Sequence, residues 1–319
     1  MTGSILLLPR RDRLHMALPQ HPLWAALGRA DRLPDASGDL ADPALAAFDV
    51  VPARFATAAV TRHADVGDAG LDTWLRADPC WLQPDMSSLR MMACGDMQLS
   101  AADAEDLAAV LRPLFGDAGV ELSMPHPARW YLKLPLGSET PRFSPPIDVL
   151  GDDVERHIPE GSSGQRWRRL LNEAQMSLHQ HRINLRREAA GLAPVNSVWF
   201  WGGGRLPNRV KPLRARMFSD DAVLRGLATQ AAVPIAVPPD SLTLVARPGD
   251  SVFDLRLVPA DVLATHWLEP ALALLRTARV EDWLVRFGGG ESFLLRRGHR
   301  WRFWRAPLAP MPARDKGHA

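Results

Sequence analysis

The chain predicts an α/β fold, with a mixed α+β arrangement also open, on three observations. Short β-branched and aromatic runs alternate with stretches of helical periodicity over most of the length. An apolar fraction of 46% and a charged fraction of 23% are those of a globular chain, and 319 residues suffice for one large domain or two ordinary ones. No internal repeat or coiled-coil heptad replaces that alternation.

Taken in order, Ile5 to Leu8 reads as the first strand. The charge of MTGSILLLPRRDRL follows its apolar run, the wrong order for a secretory signal. Residues 9 to 70 are rich in Pro, Ala and Asp with weak periodicity, and Leu23 to Leu27 and Pro43 to Phe48 fit short helices. Ser87 to Met92 reads as a strand. Ser100 is an N-cap with Asp103, Glu105 and Asp106 in the first turns, leading a helix through Leu107, Val110, Leu111 and Leu114 that ends at Gly116 or Gly119. Val120 to Ser123 and Arg129 to Leu134 fit two strands. Residues 135 to 164 form a Pro/Gly/Ser-rich connection, the best boundary in the chain. They divide it into an N-terminal α/β region, 1–140, and a C-terminal region, 141–319, unless both belong to one continuous domain.

Ser162 or Ser163 then caps a helix whose apolar face is Trp167, Leu170, Leu171, Ala174 and Leu178. Val195 to Trp201 reads as a strand ending in Gly202, Gly203 and Gly204. Ser219, Asp220 and Asp221 open a helix through Val223, Leu224 and Leu227. Ser241 to Ala246 and Ser251 to Val258 read as strands, and Asp261 starts a helix through Leu268, Leu272 and Leu275. Trp283 to Phe287, Ser292 to Arg296 and Trp301 to Trp304 read as closing strands, with a turn at Gly288 to Gly290.

Composition narrows the function classes. No apolar run approaches the ~20 residues of a membrane span, so no membrane partner is expected. Two cysteines, Cys80 and Cys94, exclude a disulfide scaffold and make the cytoplasm the default location. Charge is uneven. Residues 31 to 72 hold eight Asp against three Arg, whereas 166 to 216 hold eleven Arg or Lys against two Glu, in a chain of net charge +2. Scarce lysine, near-neutral overall charge and the lack of a matching motif argue against nucleic acid.

Guanidinium groups beside a glycine-ended strand suit a small anionic metabolite, phosphorylated or carboxylated. The residues expected to bind it are His181, Asn184, Arg186, Arg187, Asn196, Trp201, Gly202, Gly203 and Gly204. Each also has a plain structural reading: the glycines as a tight turn, the asparagines as backbone clamps, the arginines as a solvated helix face. Gly202 to Gly204 match neither G-x-G-x-x-G nor a Walker loop. His179 and His181 are two apart, do not share a helical face, and would need two further ligands to hold zinc. No catalytic residue, metal or cofactor is assigned.

The stretch from Trp167 through HQHRINLRREAAGLAPVNSVWFWGGGRLP resembles the RpfE-type regulatory proteins, which are phosphoglycerate-mutase-like. Arg76-Ala-Asp-Pro79, the helix start at Leu99, Arg129-Trp-Tyr-Leu132 and Trp301-Arg-Phe-Trp-Arg305 match as well. Beneath it, His181, Asn184, Arg187, Gly191, Pro194, Asn196, Gly202 and Gly204 are similar to the H-x-x-N-x-x-R…G-x-x-P-x-N…W-G-x-G pattern of archaeal-type cofactor-independent phosphoglycerate mutases, of the alkaline phosphatase superfamily. The resemblance implies a central sheet flanked by helices, in a degenerate form of that superfamily's fold. That enzyme class needs two divalent metals held by Asp and His, and places Asp-Gly after its first strand. Here Pro9-Arg10-Arg11 stands there, and the chain has no Asp-Gly or Asp-His dipeptide. The expectation is therefore a non-catalytic regulatory or ligand-sensing protein. The alternative is a metal-dependent phosphoglycerate mutase or phosphohydrolase with an unrecognised metal site.

Overall fold

A computed structural model of the chain describes residues 3–36, 42–86, 88–140 and 142–310, without the side chains of Ser162 and Ser163. In chain order its strands are β1 (Ser4–Leu8), β2 (Asp31–Leu33), β3 (Phe48–Val51), β4 (Thr73–Asp85), β5 (Ser88–Cys94), β6 (Glu121–His126) and β7 (Arg129–Leu134). They continue with β8 (Ser197–Gly204), β9 (Arg209–Pro212), β10 (Arg216–Phe218), β11 (Ile235–Ala236), β12 (Ser251–Asp254), β13 (Asp282–Phe287) and β14 (Ser292–Arg296). The chain forms two compact units, one of residues 1–54 with 208–319 and one of residues 55–207. The connection 135–164 lies inside the second unit.

The first unit is built on a seven-stranded sheet of order β11-β10-β12-β1-β13-β14-β2. β11, β10, β12, β1 and β13 run parallel, and β14 is antiparallel to both β13 and β2. The run SILLL is buried at every position, as a central parallel strand covered on both faces must be. Leu6 and Leu8 join Phe253, Val285 and Phe287 on one face, under Leu14, Trp24, Leu27, Trp267 and Leu268 from the covering helices. Side chains alternate along a strand, so Leu7 points to the other face, where helix Pro43–Ala47 packs. β3 and β9 form a separate antiparallel pair.

The second unit is an antiparallel sheet, β5-β4-β7-β6, with β8 also paired to β4. Helices Ala101–Asp117 and Gly161–His179 cover one face, burying Leu107, Leu111, Phe115, Trp167, Leu170 and Leu171 against Trp130, Trp199 and Phe200. Helix Thr57–Asp65 covers Trp74 and Tyr131. Both units thus have the predicted α/β character, a sheet flanked by helices.

Local signals placed many elements correctly. Ser100 caps its helix, its Oγ accepting from Asp103 N at 3.0 Å, and Asp221 accepts from Val223 N and Leu224 N at 2.9 and 3.0 Å. Others are corrected. Ser241–Ala246 is not a strand but a 3-10 turn at Leu242–Leu244. Trp301 ends a 3-10 turn, Arg297–Trp301, the aromatics of 301–304 are 65–76% exposed, and among the described residues no strand pairs with them. The strand predicted at Val195–Trp201 runs from Ser197 to Gly204 and takes in the glycines. Ser87, the predicted start of β5, lies outside the described residues. The second helix starts at Gly161 after Glu160, and the proposed caps Ser162 and Ser163 have no described side chains. β4 escapes sequence reading because Pro79 and Pro84 argue against a central strand. Pro79 is nonetheless paired with Val198, and its carbonyl accepts from Gly95 N at 2.9 Å.

Candidate functional site

The motif between His181 and Gly204 lies in the second unit, and its polar groups are engaged by the chain itself. His181 caps helix Arg182–Ala189, its Nδ1 accepting from Ile183 N at 3.4 Å. Asn184 is buried. Its Nδ2 donates to the carbonyls of Leu178 and Val195 at 2.8 and 2.9 Å, and its Oδ1 accepts from Val195 N at 2.8 Å. Asn196 clamps β4 in the same way, accepting from Leu82 N at 2.8 Å and donating to Leu82 O at 2.7 Å. Arg187, also buried, donates to the carbonyls of Ala193, Met97 and Gln98 at 2.8, 2.6 and 3.5 Å. Burial lowers its pKa from the usual guanidinium value, and the charge of Asp103 offsets this only in part.

Asn184 and Arg187 thus converge on one connection, while Asn196 reaches β4 and Arg186 turns outward to Asp103 at 3.0 Å. Trp201 Nε1 donates to Asp78 Oδ2 at 2.7 Å, and the Arg76 guanidinium lies over its ring. Gly202 has φ +66°, and a Cβ there would stand 3.0 Å from Thr57 Cβ, so the glycine fits a close approach to helix Thr57–Asp65.

The charge blocks resolve into local pairs. Asp49 meets Arg209, Asp65 meets Arg129, Asp68 meets Arg62 and Asp72 meets Lys133. From the basic stretch, Arg168 meets Glu155 and Arg182 meets Asp106. Sequence reasoning missed a relay in the 144–157 segment: His157 Nδ1 lies 3.0 Å from Ser144 Oγ and its Nε2 3.2 Å from Asp152 Oδ2. Ser144 is pinned through its carbonyl, which accepts from Trp199 Nε1 at 2.9 Å. Ser144 and His157 lie thirteen positions apart with no local signature, so spacing does not reveal the three residues.

A second concentration of chemistry stands at the C-terminal edge of the parallel sheet in the first unit. β1 is flanked by β12 on one side and β13 on the other, and ligands of open α/β sheets settle outside the carboxyl ends of such strands. Arg11, directly after β1, pairs with Glu291 at 3.0 Å, both buried. Asp254 accepts from Arg256 Nε and Nη2 at 2.7 and 2.8 Å and from Ser219 Oγ at 2.7 Å. Asp221 caps its helix and stands 3.3 Å from Arg256. Burial would lower the Arg256 pKa, but the bonds from Asp254 and the charge of Asp221 outweigh it and raise it. Asp42 caps helix Pro43–Ala47 through Ala44 N at 2.7 Å. The carboxylates at this edge are bound by guanidinium groups and backbone, a donor set that does not fit two divalent cations. Among the described residues no three His, Cys, Asp or Glu side chains converge in a metal-holding arrangement.

No family model matches the chain. The 2,3-bisphosphoglycerate-independent phosphoglycerate mutase of Methanosarcina barkeri is 26% identical over 206 residues, 62% of this chain and 50% of the relative. The probable enzyme of that name from Geobacter sulfurreducens is 27% identical over 152 residues, 47% of this chain and 37% of the relative. The second such mutase of Methanothermobacter thermautotrophicus is 37% identical over 73 residues, 23% of this chain and 18% of the relative. The chain spans about half the length, or less, of these curated relatives. Among solved structures, a cofactor-independent phosphoglycerate mutase from Thermoplasma acidophilum aligns with a TM-score of 0.42 and 17% identity, over 92% of this chain and 89% of that one. The PH0037 protein of Pyrococcus horikoshii aligns with a TM-score of 0.47 and 15% identity, over 92% and 87%.

These relatives correct the expectation of a non-catalytic regulatory or ligand-sensing protein. The curated proteins that this sequence resembles are named as mutases, so the alternative drawn from the sequence is the better reading.

Proposed function

We propose that this chain transfers or releases the phosphoryl group of a phosphoglycerate-type substrate, as a phosphoglycerate mutase or a phosphohydrolase. The observation that carries the reading is its similarity to proteins named as 2,3-bisphosphoglycerate-independent phosphoglycerate mutases. The carboxyl edge of the parallel sheet beside β1 supports a place for the chemistry, because ligands of open parallel sheets settle outside the carboxyl ends of the strands. The residues from His181 to Gly204 enter this reading as the frame of the second unit. The partner is a small anionic metabolite, phosphorylated, carboxylated or both.

The narrower kinship with RpfE-type proteins belongs to the same proposal and concerns lineage alone. A cytoplasmic site of action is proposed with it. Cys80 and Cys94 stand opposite one another on β4 and β5 as free thiols, which suits a reducing compartment. Among the described residues no helix is long and apolar enough to cross a membrane.

The test is to incubate the purified protein with 3-phosphoglycerate, with chelator and with added Mg²⁺ or Mn²⁺. Formation of 2-phosphoglycerate and release of inorganic phosphate are both followed. Turnover by either route is expected. A folded protein that produces neither product under any of these conditions overturns the reading.

A further inference from the structure

We infer that the turn after β14 is a docking surface for an anionic lipid bilayer, with Trp301, Phe303 and Trp304 entering the headgroup layer and Arg279, Arg297 and Arg300 meeting lipid phosphates. The surface is independent of the activity proposed above.

The turn presents its side chains in an inverted order. Apolar groups of a globular protein mostly go inward and charges outward. Here the charged groups are held against the first unit. Arg302 Nη1 donates to Asp31 Oδ1 at 2.6 Å and to Arg29 O at 3.1 Å, and Arg305 Nη1 donates to Ala30 O at 3.1 Å. His299 is buried, its Nε2 3.3 Å from Asp31 Oδ2. Further on, Leu308 N donates to Trp24 O at 2.9 Å. These bonds fix the chain on both sides of 301–304 and leave Trp301, Phe303 and Trp304 65%, 76% and 70% exposed. Scattered exposed apolar residues are ordinary, but three large rings within four positions of a pinned segment mark an interaction surface.

Charge narrows the partner. The carboxylate beneath the turn, Asp31, is taken by Arg296, His299 and Arg302. Arg297 and Arg300 stand on the turn itself, and Arg279 lines one open groove with Arg297, in which Glu281 is the acid. All three arginines are exposed, and among the described residues none of them forms an ion pair. Unpaired guanidinium groups around exposed rings call for an anionic partner. Between a bilayer and a single-stranded nucleic acid, the rings favour the bilayer. Base stacking needs free ring faces. Arg300 already covers a face of Trp301 at 4.8 Å, and Phe303 meets Trp304 edge to face at 5.5 Å. A bilayer needs no free face: Trp and Phe settle at headgroup level by apolar burial, and guanidinium forks bind lipid phosphates. Attachment to the surface needs no spanning helix, so the lack of a spanning run bears on insertion across a bilayer and not on this contact.

The test is flotation of the whole chain with vesicles of phosphatidylcholine alone and of phosphatidylcholine with about 30% phosphatidylserine, with poly(U) binding measured in parallel. The wild type is compared with the triple variant Trp301→Ser, Phe303→Ser, Trp304→Ser and the double variant Arg297→Gln, Arg300→Gln. The wild type should float with the anionic vesicles and not with the neutral ones. The triple variant should not float, and the double variant should bind about thirtyfold more weakly, ~2 kcal/mol for two charges. Both variants should melt with the wild type, because the substituted side chains are exposed. Brominated phosphatidylcholine in the anionic vesicles should quench wild-type tryptophan fluorescence, a readout of ring entry that needs no substitution. No flotation, flotation indifferent to the aromatic substitutions, or equal binding to neutral vesicles overturns the inference. Poly(U) binding without flotation also overturns it and assigns the surface to nucleic acid.

Discussion

Asp254 and Arg256 close on each other at the end of β12, Oδ1 to Nε at 2.7 Å and Oδ2 to Nη2 at 2.8 Å. A carboxylate at the carboxyl end of a central parallel strand is well placed to ligate a cation. Here a planar, permanently charged fork two residues on fills that role. Arg256→Met should leave Asp254, whose side chain is 8% exposed, and the neighbouring Asp221 without their cation, at a cost of about 3 kcal/mol. The melting temperature of the variant should rise on adding Mn²⁺, because two freed carboxylates then face one gap. Wild-type melting should not respond to chelator. A chelator-sensitive wild type would show that these carboxylates do hold a metal.

Asp65 predicts an acid-side loss of stability. Burial would raise its pKa, but the hydrogen bonds from Arg129 at 2.7 and 2.8 Å and from Tyr131 at 2.6 Å outweigh it and hold the carboxyl below its usual range. A depressed carboxylate contributes stability that is complete above the unfolded pKa, ~4, and is lost as pH falls through the lower folded value. At neutral pH Asp65→Asn should cost about 1–2 kcal/mol, since the pair is only partly shielded from solvent. The gap from the wild type should close on acidification below pH ~4. Parallel pH curves for the two proteins in denaturant titrations would contradict this.

Asn184 and Arg186, two residues apart, should behave differently. Asn184→Ala leaves the carbonyl and the N–H of Val195 without their partner inside the core, while the Leu178 carbonyl keeps the N–H of His181. At ~1–3 kcal/mol for each unsatisfied buried group, partly relieved by relaxation, the loss should exceed 2 kcal/mol. Arg186→Ala removes one exposed pair with Asp103, worth less than about 1 kcal/mol. Urea titrations of the two variants decide the matter: similar midpoints would show that Asn184 does not clamp the connection.

These residues also show what the sequence makes legible. Strand β1 and the helix after Ser100 are readable because their signals are local: an unbroken apolar run in the first, a cap followed by acids in the second. The hairpin about Gly288–Gly290 is readable too, and counting outward from it pairs Arg286 with Ser292. That Arg286 Nε and Ser292 Oγ meet no partner among the described residues is not readable, because it depends on what packs over the sheet there. The same limit works in reverse for Asn184, Arg187 and Asn196. Hydrogen-bonding capacity is visible in a sequence, but its occupation by backbone up to 114 positions away is not. The aromatic and basic alternation at Trp301–Trp304 has the period of a strand, yet among the described residues no strand pairs with it.

Asp78 and Arg76 form the most enclosed ion pair among the described residues, with side chains 3% and 6% exposed. Two parallel bonds of 2.8 Å join them, and Asp78 also accepts from Trp201 Nε1 at 2.7 Å and Trp130 N at 3.3 Å. Asp78→Ala would strand a buried guanidinium between the rings of Tyr131 and Trp201, and the expected loss is about 3–5 kcal/mol. The double variant Arg76→Met with Asp78→Leu removes both charges, and desolvation no longer works against the fold. It should lose less than Asp78→Ala alone, although Trp201 Nε1 and Trp130 N then lack their acceptor. A double-mutant cycle measures the coupling, which should be about 2–3 kcal/mol for groups in direct contact. Additive losses would mean that the pair is wet in solution, and Trp201, at the mouth of the glycine-ended strand, would be held by packing rather than by the carboxylate beneath it.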